Sequence, residues 1–424
     1  MAKKKITKKS SNAIEKINQK AKAGTIETKR AYQKTKKVAK KHPILLTIVC
    51  LLIIAVVGCY LLHQKGIIHI PFLDNATSSQ TSSPDDDIEV GAQGGAFTTE
   101  DISTISNGDL SIHFLEVGNK YTGDCTLIKV GNTEVLIDAG SRKGSAETLV
   151  PYIQQFCTDG VLEYVIATHA HQDHIAGFVG TTKVDGIFDA FVCETIIDYT
   201  LSNSTAQIRA DYEALRDAEV AAGATHYTVL ECWNNENGAQ RSYSLGNGVT
   251  MNFLYQKFYE ESTSDENDYS VCMLLSQGEN NYLFTGDLEK HGEESLVASN
   301  NLPKCVLYKG GHHGSPTSST AGLLSAIDPD IVCVCCCCGS DEYTDNVANM
   351  FPSQAFVDAI APYTDQVYVT TIVSDNAEGY ESLNGNIVVY LENGELKVRC
   401  SNNATLFKDT DWFKANRIMP DAWK

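Results

Sequence analysis

Tyr164-Val165-Ile166-Ala167-Thr168 runs directly into His169-Ala170-His171-Gln172-Asp173-His174. The first five residues read as a buried strand, because β-branched and aromatic side chains follow one another without a charge. The next six carry four metal-capable side chains at the point where that strand releases its chain into a loop. Histidines two apart on an extended segment share a face, so His169 and His171 can clasp one ion. Once the chain turns, Asp173 and His174 can address a second, and packing alone does not account for such a cluster.

Outward from this run, short β-branched segments alternate with turns: Leu110 to Val117, Cys125 to Val130 and Glu134 to Ile137, before a helical stretch from Glu147 to Phe156. Strands and helices then alternate through Ala206 to Ala222, Val249 to Tyr255, Ser270 to Leu275, Tyr282 to Thr285, Leu288 to Ser299 and Val306 to Tyr308. Hairpins that precede any helix predict an α/β fold built on a pair of mixed sheets flanked by helices, not a doubly wound parallel sheet. No internal sequence repeat is visible.

The 424 residues carry a net charge of −19 that is divided unevenly. Residues 1–42 hold 15 Lys/Arg against Glu15 and Glu27, and the remainder holds 19 Lys/Arg against 51 Asp/Glu. Between them, Ile44 to Leu62 carries no charge and is long enough, at about 1.5 Å per residue, to cross a hydrocarbon core of about 30 Å. This reads as one transmembrane helix, with the lysine-rich flank cytoplasmic and the acidic bulk outside. A cleavable leader would have a shorter basic region and a small-x-small site. Val56-Val57-Gly58-Cys59 resembles a lipobox, yet the apolar run continues beyond it. From Asn75 to Gly108, Thr, Ser, Asp and Gly dominate, as in a flexible spacer.

Fourteen cysteines lack the spacing of a disulfide framework. Cys333-Val334-Cys335-Cys336-Cys337-Cys338 falls where a buried strand is expected. Neighbours on a strand point to opposite faces, so these thiols cannot all converge on one ion and read as small buried hydrophobes.

His-Ala-His-Gln-Asp-His resembles the H-x-H-x-D-H signature of metallo-β-lactamase-fold hydrolases, whose fold is an αββα sandwich. The resemblance implies two divalent metal ions, a bridging aspartate and a further histidine. Asp287, in Tyr282-Leu283-Phe284-Thr285-Gly286-Asp287-Leu288, fits the former. His312 and His313, in Lys309-Gly310-Gly311-His312-His313-Gly314-Ser315, compete for the latter. More narrowly, residues 110 to 375 resemble the hydrolase domain of ComEC-type DNA-uptake proteins, through Ile112 to Gly118, Gly123-Asp124-Cys125, Leu136-Ile137-Asp138-Ala139-Gly140, residues 285–288 and residues 312–315. Glu116 stands where that group has Asp, about three extra residues surround Lys120 to Thr122, and Phe351-Pro352 replaces a His-Pro.

On this resemblance the metal ligands are His169, His171, Asp173, His174, Asp287 and His312, the last because it directly follows the glycine turn. His313 is left for the substrate, to protonate the leaving group or bind the developing charge, beside Asp173 as a catalytic residue. Asp138 is expected to orient the histidines, and Asn267 and Ser315 to contact substrate. No further histidine ligand is evident; His226 has no motif around it, and Glu266-Asn267-Asp268-Tyr269-Ser270 occupies that part of the chain. An oxygen-rich site admits Mn²⁺ as well as Zn²⁺.

The implied organisation is a basic cytoplasmic segment (1–42), a transmembrane helix (43–63), a flexible linker (64–109), a hydrolase domain (110–400) and a tail of unassigned role (401–424). The implied activity is hydrolysis of a phosphodiester, in nucleic acid or a cell-wall polymer such as a teichoic acid or its phosphorylcholine ester, by a metal-bridging hydroxide. An acidic ectodomain has few cations with which to release counterions from DNA, which favours a small or locally gripped phosphodiester. A binding module that keeps the fold without catalysis, and an amide or thioester hydrolase, are the alternatives.

Overall fold

A computed structural model describes residues 97–374, 378–392 and 394–424. The expected basic segment, membrane span and most of the linker lie outside the described residues. No helix among the described residues is long and apolar enough to cross a membrane.

Six strands form most of the first sheet: β1 (Ser111–Phe114), β2 (Thr126–Val130), β3 (Thr133–Ile137), β4 (Val161–Ala167), β5 (Val192–Asp198) and β6 (Thr225–Thr228). The second sheet comprises β7 (Ser242–Gly246), β8 (Val249–Phe253), β9 (Met273–Gln277), β10 (Asn280–Phe284), β11 (Leu307–Lys309), β12 (Ile331–Cys338), β13 (Val367–Val373) and β14 (Tyr380–Ser382). The chain then returns to the first sheet with β15 (Ile387–Glu392) and β16 (Glu395–Cys400). The strand orders are β16-β15-β1-β2-β3-β4-β5-β6 and β14-β13-β12-β11-β10-β9-β8-β7.

Both sheets follow one scheme. Antiparallel hairpins β1-β2-β3 lead into parallel β3-β4-β5-β6, and antiparallel β7-β8-β9-β10 lead into parallel β10-β11-β12-β13. This duplication exists in topology without a visible sequence repeat.

Period-two alternation explains the layers. Val135 and Ile137 of β3 enter the core between the sheets, where they join Ile166, Met251 and Phe284. Leu136 between them points outward, into a core shared with Leu149, Phe156 and Phe178 of the covering helices. The second sheet does likewise, with Leu283 and Tyr308 facing Leu296, Leu324 and Phe356. The result is two mixed sheets face to face with helices on both outer surfaces, as expected.

β12 settles the cysteine run. Cys333 and Cys335 face the core between the sheets, whereas Val334, Cys336 and Cys338 face the outer helices. None of the twelve described cysteines forms a disulfide, and eleven are buried. Burial pushes the thiols of Cys335 and Cys337 up to about 12, which keeps them protonated and poor ligands.

Two boundaries differ from expectation. Residues 97–109 are not spacer, because Thr99–Ser106 is a helix whose Thr98 and Asp101 form a reciprocal capping box. It buries Phe97 and Ile105 in the outer core, and Arg399 of β16 pairs with Asp101. The polar composition concealed an amphipathic turn whose apolar anchors are Phe97, Ile105 and the partly buried Ile102. Residues 401–424 are likewise part of the domain: Phe407, Phe413 and Trp423 sink into the core beneath the second sheet.

Replacing Ile105 by Ala should therefore cost about 2–4 kcal/mol of stability, as for a core residue. Chemical denaturation measures this, and a change within about 0.5 kcal/mol would return the segment to the linker.

Candidate metal centre

Four strand ends supply the site. β3 releases Asp138, β4 releases His169 to His174, β10 releases Asp287, and β11 releases His312 and His313. The first pair belongs to one sheet and the second to the other, so the sandwich itself brings them together.

Backbone hydrogen bonds lock the loops of the first sheet. Asp124 N donates to Asp173 O at 3.0 Å, Gly140 N to Asp124 O at 2.8 Å, and Ala139 N to His174 O at 2.7 Å. A Cβ on Gly140 would lie 1.4 Å from Asp173 O, so only glycine permits this approach. His312 and His313 both hold left-handed backbone, with φ of 45° and 55°, as does Asp138 at 57°. Such conformations cost energy in non-glycine residues and persist where surrounding structure imposes them.

His174 stands at the centre. Its Nδ1 is 2.8 Å from Asp138 Oδ2 and its Nε2 is 3.0 Å from Asp287 Oδ2. Asp138 also accepts from Thr168 N and Thr168 Oγ1, both at 2.8 Å, which fixes its carboxylate behind the ring. His313 Nε2 lies 3.3 Å from His174 Nε2, 3.0 Å from Asp287 Oδ2 and 3.5 Å from Asp173 Oδ2. Two imidazole nitrogens and two carboxylate oxygens thus converge on one point.

The paired histidines do not lie symmetrically about Asp287. His313 is fully buried and reaches Asp287. His312 holds its Nε2 3.8 Å from Asp287, keeps 18% of its side chain exposed and lines the cleft. Consecutive left-handed residues turn the two rings to different sides, which a rule based on distance from the glycine turn does not capture.

Asp124, His174, Asp287 and His313 offer ligand atoms all within 4.8 Å of one another. Asp124 nevertheless sits behind the ring: its Oδ1 is 3.2 Å from His313 Nδ1, the nitrogen that also lies 2.9 Å from Cys335 O. The buried Lys309 ammonium pairs with Asp124 as well. Asp124 therefore does for His313 what Asp138 does for His174, setting the tautomer and the aim of the ring. Sequence reasoning quoted Asp124 and Lys309 as landmarks without giving either a role; a charged residue inside a strand-end motif was the available signal.

His169 Nε2 lies 3.0 Å from His171 Nδ1, and the His169 ring centre lies 4.1 Å from that of His174, tilted by 50°. Burial, then His174 and His171, push the His169 pKa far below its ordinary value, which keeps the ring neutral with a lone pair available. Burial opposes protonation of His174 and His313 too, but Asp287 with Asp138 around the first, and Asp287 with Asp124 around the second, outweigh it and raise both.

Asp287 Oδ1 is buried and takes no hydrogen bond, with Lys309 Nζ 4.0 Å away. An orphaned buried carboxylate oxygen beside convergent histidine nitrogens fits a divalent cation. His226 is not brought here; its Nε2 pairs with Asp198 at 2.8 Å.

A cleft of about 620 Å³ opens over these residues, lined among others by Arg142, Asn267, His312, Ser315, Tyr343 and Phe351. Arg142 is the one Lys or Arg among its described lining residues. It bonds Glu342 Oε1 at 2.6 Å and stacks 4.0 Å over the Tyr121 ring. Tyr343, another residue that sequence reasoning passed over, donates its hydroxyl to Asp173 Oδ2 at 2.7 Å.

Residues 118–184, which carry Asp124, Asp138 and the His169 to His174 run, match the family described as "Metallo-beta-lactamase superfamily". This match and the paired mixed sheets support a metallo-β-lactamase fold. The chain is 27% identical over 243 residues to "Recombination protein 2" of Haemophilus influenzae, covering 56% of this chain and 26% of that protein. It is 28% identical over 214 residues to "Competence protein ComA" of Neisseria gonorrhoeae, covering 49% and 25%. These relatives support the ComEC-type resemblance, and the chain spans about a quarter of their length. Among solved structures, the metallo-beta-lactamase fold protein YhfI from Bacillus subtilis is 14% identical with a TM-score of 0.29, covering 47% of this chain and 70% of that one. A superposition that loose carries no weight.

Lys309→Met leaves Asp124 buried with the His313 ring as its remaining close partner, and should cost about 3 kcal/mol. Adding Asp124→Asn should recover part of that loss. A double-mutant cycle by chemical denaturation measures the coupling, and strictly additive effects would separate the two residues.

Proposed function

We propose that this chain is a metal-dependent phosphodiesterase, tethered to the cell membrane by residues 43–63 with its hydrolase domain extracellular. The carrying observation is the convergence of His174 Nε2, His313 Nε2, Asp173 Oδ2 and Asp287 Oδ2 around a buried, unsatisfied carboxylate. In this reading those four side chains would hold one divalent ion, and His169 and His171, together with Asp287, would hold a second. Zn²⁺ and Mn²⁺ both suit the mixed nitrogen and oxygen donors. When bound, the metal pair supplies a nucleophile from water near neutral pH and neutralises anionic substrate oxygens.

The chain's own residues do the rest. Asp138 and Asp124 hold the ligand rings in register, and Tyr343 fixes Asp173. His312, freed from ligation and open to the cleft, stands where it can pass a proton to a leaving group. Arg142 offers the cation for a substrate phosphate, with Glu342 as its partner in the free protein. The resemblance to ComEC-type domains and the curated relatives support a nucleic-acid phosphodiester as substrate. The acidic composition and the single Arg in the cleft support a locally gripped phosphodiester, such as a wall polymer.

The full-length chain should hydrolyse bis-p-nitrophenyl phosphate with added Mn²⁺ or Zn²⁺, and a chelator should abolish turnover. His313→Ala should lose bound metal by mass spectrometry. His312→Ala should keep it and lose far more rate on alkyl than on p-nitrophenyl esters, because only the alkoxide needs a proton. Arg142→Ala should raise KM about tenfold. No turnover by a metal-loaded chain would sink the enzyme reading in favour of a binding module.

A further inference from the structure

Beside the catalytic cleft lies a second one of about 560 Å³, and Pro316 lines both. Its walls carry Asp265, Asp268 and Glu289 against Lys290 alone among Lys and Arg of the described lining residues. Glu289 connects the two spaces: its Oε1 is 3.3 Å from His312 Nδ1 and accepts from Thr317 Oγ1 at 2.8 Å.

Acidic side chains on a surface are ordinary, but two atoms here are not. Asp268 is 4% exposed and Asn267 8%, and the Oδ1 atom of each is buried without a hydrogen-bond partner. The amide orientation of Asn267 is fixed, because its Nδ2 donates to Glu289 Oε1 at 3.4 Å. Both unsatisfied atoms are therefore acceptors, Asn267 on the wall of the catalytic cleft and Asp268 on that of its neighbour. Burial and then Asp265 push the Asp268 carboxyl up to about 6, against the opposing pull of the Glu289 backbone and His291. Asp265, Asp268 and Glu289 do not form one of the compact ligand groups found among the described residues. That spacing suits a larger cation with several N–H donors better than a bare metal ion.

We propose that this second cleft is a subsite for an ammonium group, so that the substrate is a phosphodiester bearing a primary amine close to the scissile phosphate. The proposal rests on the phosphodiesterase reading and sharpens it. A continuous polyanion would lead its next phosphate towards three carboxylates, whereas a zwitterionic ester places an amine there. The ammonium would give one N–H to Asp268 Oδ1, which now lacks a partner, and the others to the carboxylates of Asp265 and Glu289 on the same walls, with the phosphate held beside Arg142.

The test compares O-phosphorylethanolamine with ethyl phosphate, which differ in the amine, by calorimetric binding to the metal-loaded full-length chain. One charge-assisted contact corresponds to a preference of about tenfold for the amine. Asp268→Asn and, as a milder change that retains its turn-capping oxygen, Asp265→Asn should each reduce that preference to about twofold or less. Equal affinity of the wild-type chain for the two ligands would overturn the subsite. So would a third equivalent of divalent metal that disappears in Asp268→Asn, since a metal ion would then fill the place. Turnover of bis-p-nitrophenyl phosphate by the same sample reports separately on the enzyme reading: turnover without amine preference sinks only the subsite, and amine preference without turnover sinks only the phosphodiesterase.

Discussion

Four carboxylates, Asp124, Asp138, Asp173 and Asp287, are buried together where the strand ends of the two sheets meet, with the ammonium of Lys309 among them. That concentration of negative charge in a dry interior is the constraint on which the rest of the structure depends. Removing a carboxylate from water costs several kcal/mol unless a cation compensates it. Lys309 offsets part of the charge. The remainder falls on imidazoles, and raised pKa values at His174 and His313 are the consequence. A nitrogen cannot hold a proton and a metal together, so in the proposed centre metal uptake and proton release are one event. Folding and loading become linked for the same reason.

The sandwich makes such a centre possible because each sheet supplies half of it. Asp138 and the His169 to His174 run come from the parallel strands of the first sheet, and Asp287, His312 and His313 from those of the second. Neither half brings its charges to balance alone. Backbone contacts then remove slack: Gly286, with φ of 55°, has no room for a Cβ between Ser270 and Thr168, and it delivers Asp287 directly against the loop of the other sheet. Elements outside the expected domain serve the same end. The helix Thr99–Ser106 and the aromatic residues of the C-terminal segment close the outer cores on either side.

Legibility in the sequence followed the range of the interactions. His169 to His174 could be read because four donors lie within six residues, and Asp287 because it ends an apolar strand. The cysteine run could be read because alternation on a strand is a local property. The paired histidines could not, since two consecutive left-handed residues decide which ring turns inward. Asp124, Lys309 and Tyr343 acquire meaning only from partners 170 to 185 residues away. The helix at 99–106 escaped notice because three apolar anchors in a polar stretch, one of them ahead of the helix, give a weak periodic signal, although its Thr98 and Asp101 capping pair was there to be seen.

Charge also bears on how a substrate is held. A protein that binds nucleic acid along its length draws affinity from counterion release, which requires many Lys and Arg along the track. Among its described lining residues the cleft shows one, Arg142, and that one is already engaged by Glu342. On the proposed reading, affinity would then come from short-range contacts inside the two clefts, where each buried acceptor that gains a partner counts for more. Such contacts discriminate by chemistry within a few ångströms of the phosphate and are indifferent to the length of chain beyond it. An acidic surface strengthens this selectivity, because it lowers the affinity of every extended polyanion while leaving a zwitterionic ester almost untouched.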